Sequence, residues 1–509
     1  MATSRTDRIV KNTLMLYIRM AFTMLVSLYT SRVILNTLGE TDYGIQSVVA
    51  GTVSFLSFFV YSMSSATQRF LNVAMGKNNE EELRQVFSIS LTIHFIILVL
   101  VVVVGEVVGL WLLYNKLAIP AERMNAAFWI FQFTIITTAT TVMSIPYNSL
   151  VITHEKMGVF AYLSILNTVL KLVIVYLLVI SPYDKLITYG FMYMCVSLLN
   201  RGLYTIYCKR HFSESKFSSR YPKKLFKDML SFSGWDLFGV IAWTVSKQGS
   251  TILINMFFGP VVNTAKAIAE QVREAINGFS SNFLMALRPQ ITKAYAAGDK
   301  EYLHKLMFTG AKMPFVLLYT IALPLFFKTH FVLELWLKIV PNYCVIFLQI
   351  VLVEMILSAM MTPLNTAALA TGRIRYYGFV TSVLTIMEFP ICYFILKLGG
   401  SPISVFITSL CILILKQIIQ FVKLRELVQF SYLKYFKEVQ SRCIIVVCIT
   451  VMMTSCLENY FNDVFFDLIK FCFIICSITI IINYIVIFNK VEKKILKDKF
   501  LQFYKQLDG

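Results

Sequence analysis

Long apolar stretches alternate with short polar ones along almost the whole chain. The clearest apolar stretch, TIHFIILVLVVVV at 92–104, contains no Asp, Glu, Lys or Arg. A helix needs about 20 mostly apolar residues to cross a bilayer, and the chain has about 14 such stretches. The predicted spans lie at 12–35, 44–68, 86–114, 126–152, 159–181, 186–207, 229–257, 262–287, 307–327, 343–369, 376–396, 402–422, 441–457 and 465–488.

The composition supports an all-α polytopic membrane protein. Apolar residues make up 57% of the 509 positions and charged residues 15%, whereas soluble domains carry roughly 25% charged residues. Disordered, collagen-like and secreted disulfide-rich classes are excluded on the same grounds. The ten cysteines include no CxxC pair, so we expect neither a metal site nor a cofactor.

The distribution of basic residues predicts the orientation. If the N-terminus is cytoplasmic, 31 of the 47 lysines and arginines fall in inner loops and 6 in outer loops. Cytoplasmic loops of membrane proteins carry an excess of Lys and Arg. We therefore expect both termini to be cytoplasmic. The same bias explains most of the net charge of +19 without a nucleic-acid partner.

Two similar segments indicate an internal duplication. ILNTLGETDYG at 34–44 resembles LINMFFGPVVN at 253–263. The matched pairs are Asn36 with Asn255, Gly39 with Gly259, Arg69 with Arg288 and Gly76 with Gly298, at offsets of 219, 220, 219 and 222. Six spans separate the copies, and an even number preserves orientation. The repeats are therefore predicted to be parallel, about an axis along the membrane normal.

The duplication predicts a domain plan of two pseudo-symmetric six-helix lobes, at 1–207 and 225–423. A basic cytoplasmic linker at 208–224 joins them, and 424–509 contributes two additional helices and a basic cytoplasmic tail. Transporters built from repeats bind substrate at the interface between the repeats. We therefore expect a central cavity with alternating access.

Several motifs resemble the polysaccharide-exporter family. They are LGETDYGIQSVV, SATQRFLNVAMGKNNEEELRQVF, IPYNSLVITHEKMGVFAYLSILNTVLKL at 145–172 and MTPLNTAALATGRIRYYGF at 361–379. The family belongs to the multidrug, oligosaccharidyl-lipid and polysaccharide exporter superfamily, and the resemblance covers essentially the whole chain.

The resemblance implies a flippase in the bacterial cytoplasmic (inner) membrane. Its cargo would be an oligosaccharide linked to undecaprenyl pyrophosphate, for O-antigen (lipopolysaccharide), capsule or another surface polysaccharide. Membrane lipids would surround the protein, and polysaccharide polymerase and chain-length machinery are candidate partners.

The eighth span carries a polar stripe that is the first candidate for substrate binding. Its members share an arc of about 100° on a helix, and they are Asn263, Lys266, Glu270, Arg273, Glu274, Asn277 and Ser281. Charges inside a membrane are costly and indicate function. We expect the stripe to line the cavity, with Arg273 bound to the pyrophosphate, because guanidinium binds phosphate oxygens bidentately. The alternative is a self-compensated helix, since Glu270 lies four residues from Lys266 and three from Arg273.

Other charged residues within spans extend the candidate site. Arg19, in the first span, is the second candidate phosphate ligand, by weak analogy with lipid-II-type flippases of the superfamily. Lys171 and Lys247 either add to a cationic cavity or pair with an acid. Glu354 and Glu388, with Glu270 and Glu274 of the stripe, are candidates for ion coupling, since a buried carboxylate can bind and release a proton or Na⁺. Structural pairing is the alternative for each.

Three other functions compete with the flippase. A multidrug or cation antiporter of the same superfamily would need an acidic cavity, whereas the predicted lining is net basic. A membrane-embedded polymerase or ligase is typified by a large outer loop, and the outer loops here are short. A structural scaffold would not need buried charge on a duplicated plan. The chain contains no Walker A, GxSxG or HExxH motif, so we expect no enzyme.

Overall fold

The computed structural model describes the backbone at residues 2–54, 57–76, 79–154, 156–218, 222–371, 375–489 and 492–493. Part of the predicted linker at 208–224 and most of the basic tail after residue 489 lie outside the described residues. The described part is helical, with short turns and no strand, which confirms the all-α class.

Six long helices precede the linker. They are α1 (Ala2–Ser54), α2 (Ser57–Gly76), α3 (Glu80–Val104), α4 (Met124–Thr153), α5 (Met157–Ile180) and α6 (Lys185–His211). A π-helical turn at Gly105–Gly109 continues α3 into Leu110–Asn115. The start of α3 follows from its sequence: the Asn79 side chain accepts a hydrogen bond from the Glu82 amide, and three glutamates occupy the first turn. Both features stabilise a helix N-terminus.

Eight further helices of nine residues or more follow in the described chain. They are α7 (Lys223–Ala296), α8 (Lys300–Phe327), α9 (Thr329–Leu337), α10 (Cys344–Ala370), α11 (Arg375–Lys397), α12 (Ile403–Val428), α13 (Ser441–Glu458) and α14 (Phe465–Val486). The short segments Tyr432–Tyr435 and Phe436–Gln440 lead directly into α13.

Eleven segments of the described chain are long and apolar enough to cross a membrane, so the protein is a multi-pass membrane protein. α1 and α7 are each counted once, although each contains more than one predicted span. The 27 residues of α6 extend about 40 Å at 1.5 Å per residue, but α6 is too polar to be among the eleven. The number of 14 spans and the cytoplasmic termini remain predictions.

Apolar side chains cover the outside of the spanning helices. In α14, 17% of the most apolar 18-residue window is buried, and Phe466, Phe473 and Ile485 are at least 60% exposed. Contiguous exposed apolar surface of this kind marks contact with a membrane or another protein. In a multi-pass protein it is the lipid-facing surface.

α1 and α7 each bend at a glycine that the repeat pairs. Gly39 has φ 79° and ψ 170°, and Gly259 has φ 80° and ψ −175°. This region of backbone conformation is essentially restricted to glycine. The two halves therefore turn by the same backbone geometry at positions that the sequence repeat aligns.

The chain divides into two compact units. The first comprises the described parts of 1–267, 337–343 and 382–405, and the second those of 268–336, 344–381 and 406–509. One buried core of the first unit packs around Phe87, Ile93 and Leu150. The core of the second packs around Phe315, Leu364 and Phe471, and it includes residues of both C-terminal helices. The lobe boundaries predicted from sequence remain a proposal.

Candidate functional site

Arg19 of α1 lies against α5. Its Cζ is 5.0 Å from the centre of the Phe160 ring, and Nη1 donates to Ser164 Oγ at 3.4 Å. Its Nε is buried and has no hydrogen-bond partner among the described residues. Arg19 thus contacts an aromatic ring and a hydroxyl, both neutral, and one of its donors is unused.

Lys171 lies on the same face of α5 as Phe160 and Ser164, seven residues beyond Ser164. That separation corresponds to about 10 Å along the helix. Lys171 Nζ donates to the Tyr193 hydroxyl at 2.8 Å and lies 4.5 Å from the centre of that ring. The acidic partner considered for Lys171 is thus not among its described contacts. Arg19 packs against α5 from α1, and Lys171 belongs to α5. We call these two cations together the cationic face of α5.

Lys266 is 5% exposed and is held by the earlier part of α7. Its Nζ donates to Lys247 O at 3.1 Å, to Ser250 Oγ at 2.7 Å and to Thr251 Oγ1 at 2.6 Å. The Lys247 ammonium lies 5.2 Å from the centre of the Trp243 ring. The structure therefore brings Lys266 and Lys247 together on the two parts of α7 that flank the turn at Gly259.

Arg273 connects α7 to α10 within the second unit. Its Nη2 donates to Glu354 Oε2 at 2.5 Å, and its Nε lies 3.3 Å from Glu270 Oε2. The Glu354 side chain is 4% exposed, and its second oxygen has no hydrogen-bond partner among the described residues. The predicted proximity of Glu270 and Arg273 is confirmed. The partner Glu354, 81 positions away, is a contact that sequence spacing does not reveal.

The remaining predicted residues take different places. Glu388 of α11 is buried in the first unit, where Oε2 accepts a hydrogen bond from Ser246 Oγ at 2.6 Å. Glu274 is exposed and Asn277 is half-buried. Glu274 also lies within electrostatic range of Arg273. The side chain of Ser281, at the end of the stripe, lies outside the described residues.

One buried ion pair of the described chain was not predicted from the sequence. Lys312 of α8 is 1% exposed, and its Nζ lies 3.0 Å from both carboxylate oxygens of Glu492. The Glu492 carboxylate also accepts hydrogen bonds from Thr309 Oγ1 and from the Asn489 amide, and the Glu492 amide donates to Asn489 Oδ1. Lys312 lies within the predicted ninth span, so a charged residue in an apolar stretch was the sequence signal that could have indicated a buried pair.

Solved structures of transporters share this fold. The lipid II flippase MurJ in an inward closed conformation has a TM-score of 0.69 at 12% identity, and the match covers 94% of this chain and 98% of that one. An inward-facing multidrug resistance MATE family transporter of the MOP superfamily has a TM-score of 0.61 at 14% identity, covering 82% of this chain and 99% of its own.

A third structure matches over a similar extent. It is a MOP superfamily transporter from Pyrococcus furiosus Vc1 (DSM3638), described as having a binding pocket of reverse polarity that suggests a different function. Its TM-score is 0.55 at 13% identity, and the match covers 83% of this chain and 95% of that chain. The chain therefore has the fold of MOP superfamily transporters.

The sequence comparison identifies the family. No curated protein sequence matches the chain significantly. A family profile described as "Polysaccharide biosynthesis protein" matches residues 9–295, which is more than half of the chain and includes the cationic face of α5 and Arg273. The chain therefore belongs to the polysaccharide biosynthesis protein family, as its motifs indicated.

Proposed function

We propose that the protein is a flippase for an oligosaccharide linked to a polyprenyl pyrophosphate. It would act in the bacterial cytoplasmic membrane and serve the synthesis of O-antigen, capsule or another surface polysaccharide. It performs no covalent chemistry on its cargo. The family match and the likeness to a lipid II flippase support a lipid-linked cargo.

The cationic face of α5 is the observation that carries the proposal. Arg19 packs against Phe160 and Ser164 of α5, Lys171 lies seven residues beyond Ser164, and the described contacts of both cations are neutral hydroxyls and rings. A charge inside a membrane protein is costly unless something compensates it. A pyrophosphate would supply that compensation, and it would also provide an acceptor for the buried Arg19 Nε, which has no partner among the described residues.

We propose that Arg273 acts together with its carboxylates as the coupling element. Arg273 contacts the carboxylates of Glu354 and Glu270, and Ser409 lies beside Glu354. A buried carboxylate such as Glu354 can bind and release a proton or Na⁺. A proton or Na⁺ that neutralises Glu354 would release Arg273 to a phosphate, so ion binding and cargo binding become linked. Asn277, one helical turn beyond Arg273, extends this proposed region along α7, and Lys266 stays a separate candidate for substrate binding.

The moving bodies in this proposal are the lobes predicted at 1–207 and 225–423. The linker at 208–224 connects them, and α13 and α14 are additions to the second lobe. Lys247 and Glu388 both belong to the first unit. We propose that Lys247 contributes to substrate binding and that Glu388 takes part in ion coupling.

Binding of the cargo head group tests the proposal directly. Purified protein is titrated with undecaprenyl pyrophosphate in detergent, with intact-complex mass spectrometry as the readout. Arg19→Ala and Lys171→Met should each weaken binding about tenfold, because a charge-assisted hydrogen bond contributes about 1.5–3 kcal/mol. Lys116→Met is the matched control, since the Lys116 ammonium also lies over an aromatic ring, that of Trp111. Equal affinity in all three variants would contradict the proposed site.

Cation antiport is the second candidate function. It is favoured by the two carboxylates that contact Arg273, and the MATE neighbours fit it. In this case a lipophilic cation would compete with protons at Glu354. Proton-driven uptake of a fluorescent cation into vesicles, abolished by Glu354→Gln, would support antiport over the flippase.

A further inference from the structure

Two asparagines bridge connections at the predicted outer end of the first unit. Asn36 Nδ2 donates to the backbone carbonyl of Leu337 at 3.1 Å. Asn255 Oδ1 accepts from the backbone amide of Ala118 at 2.9 Å. Each asparagine ends a helix segment just before the glycine turn of its own half. Leu337 and Ala118 each lie in a predicted outer loop. Along the sequence, the linker separates each of them from the asparagine that it contacts.

The two bonds are related by the internal repeat. Asn255 and Asn36 differ by 219 positions, and so do Leu337 and Ala118. The same pair of sites is thus bonded twice, once in each direction across the repeat. Reciprocal pairing of this kind is the signature of an interface around a two-fold axis.

A second pair of contacts follows the same rule. Thr264 Oγ1 donates to the backbone carbonyl of Glu40 at 2.6 Å. Its counterpart joins Gly44 to Pro260, where a Cβ added to the glycine would lie 1.9 Å from the carbonyl oxygen. Thr264 and Gly44 differ by 220 positions, and so do Pro260 and Glu40. Gly44 therefore allows the backbones to approach where any side chain would separate them.

We propose that these four contacts form an outer gate, with Asn36 and Asn255 as its gating residues. The inference rests on the proposed transport function in that the gate must open to release cargo outward. The gate residues bond to backbone groups, so the contact depends on helix position and not on the rotamer of a partner. Each hydrogen bond has a modest net value, which suits an interface that breaks in every transport cycle.

The two gating residues act with opposite polarity. A backbone carbonyl can only accept, so Asn36 must donate; a backbone amide can only donate, so Asn255 must accept. Aspartate at 255 can still accept from Ala118, whereas aspartate at 36 places an oxygen against the Leu337 carbonyl. Asn255 is fully buried and Asn36 is exposed. Water therefore competes less for the bond of Asn255.

The gate is tested by accessibility from outside. Val48 of α1 is fully buried, and Val48→Cys provides a reporter for a membrane-impermeant maleimide added to intact cells. Peptide-resolved mass spectrometry separates this cysteine from the ten native ones. Asn36→Ala should raise the labelling rate two- to threefold and Asn255→Ala about fivefold or more, and the double variant should approach the product of the two. Gly44→Ala should raise it as well, because its methyl group prevents closure.

Asn115→Ala is the matched control. Asn115 is an asparagine at the same predicted end, and its Nδ2 donates to Trp111 O within its own helix. Its labelling rate should equal that of the parent. Labelling of Asn36→Ala and Asn255→Ala at the control rate would overturn the gate. So would an increase in only one of them.

Hydrogen exchange provides a second test that does not need an open state. The Ala118 amide should exchange slowly in the parent and in Asn255→Asp, and faster in Asn255→Ala. Equal exchange in the parent and Asn255→Ala would overturn the assigned bond. Neither assay uses the cargo. An absence of undecaprenyl pyrophosphate binding would therefore contradict the proposed function, whereas the labelling and exchange results would still test the gate.

Discussion

Removal of Glu492 should destabilise the protein strongly, because Lys312 would then be a buried cation without its carboxylate. The perturbation is Glu492→Ala. The Lys312 side chain is 1% exposed and the Glu492 side chain 7%, and both carboxylate oxygens lie 3.0 Å from the ammonium. Loss of one member of a buried pair costs about 3–5 kcal/mol. Thr309 and Asn489 lose their acceptor as well.

The matched control is Asp463→Ala, which removes the carboxylate from Lys328. That pair has a similar separation of 2.9 Å, but the Asp463 side chain is 61% exposed. An exposed pair contributes about 0–1 kcal/mol. The two variants therefore differ in burial and not in the type of contact.

Thermal unfolding of the detergent-solubilised protein measures the difference. Glu492→Ala should lower the apparent melting temperature clearly more than Asp463→Ala. Addition of Lys312→Met to Glu492→Ala should recover part of the loss, since the uncompensated charge is then gone. Equal shifts for the two single variants, or no recovery in the double variant, would contradict the expectation that the buried Lys312 charge causes the loss of stability.

Three further predictions concern other sites. Gly39→Ala and Gly259→Ala should each lower the free energy of unfolding by about 1–3 kcal/mol because of their backbone conformation, although an added Cβ meets nothing within 4 Å at either position. Gly158→Ala is equally open but has an ordinary φ, so it should be neutral or stabilising. Thermal unfolding compares the three variants. Arg273→Ala should lower the melting temperature because Glu354 and Glu270 lose their cation, and Glu354→Gln in the same chain should restore part of it. Burial raises the pKa of Glu492, but the Asn489 amide and the Lys312 ammonium outweigh burial and hold this pKa below the ordinary 4.5. The contribution of the Glu492 carboxylate to stability is therefore complete above pH 4.5 and is lost as the pH falls through the lowered pKa. Melting temperatures of the parent and Glu492→Gln should accordingly converge at low pH.

The sequence predicts the helices and the duplicated turns well. Apolar stretches of spanning length are a strong local signal, and most predicted spans coincide with helices of the described chain. Gly39 and Gly259 could be paired from sequence because only glycine adopts their backbone conformation. Spacing on one helix also gave the proximity of Glu270 to Arg273.

Contacts between helices could not be predicted in the same way. Glu354 and Glu492 were each separated by many residues from their partners Arg273 and Lys312, and periodicity reveals which residues share a face but not which face meets another. The neutral contacts of Arg19 and Lys171 depend on the packing of α1, α5 and α6. They change the order of the candidate phosphate ligands, since Arg273 already has carboxylate partners and the described contacts of Arg19 include none.

In the proposed function the protein moves a lipid-linked oligosaccharide outward. The most direct measurement is the pool of polyprenyl-pyrophosphate glycans in a strain that lacks the protein, identified by mass and tested for access by an enzyme added outside the membrane. A completed repeat unit should accumulate, out of reach of that enzyme, with surface glycan lost; the parent chain should restore export and Arg19→Ala should not. An unchanged pool together with raised sensitivity to cationic compounds would contradict the flippase and favour the antiporter.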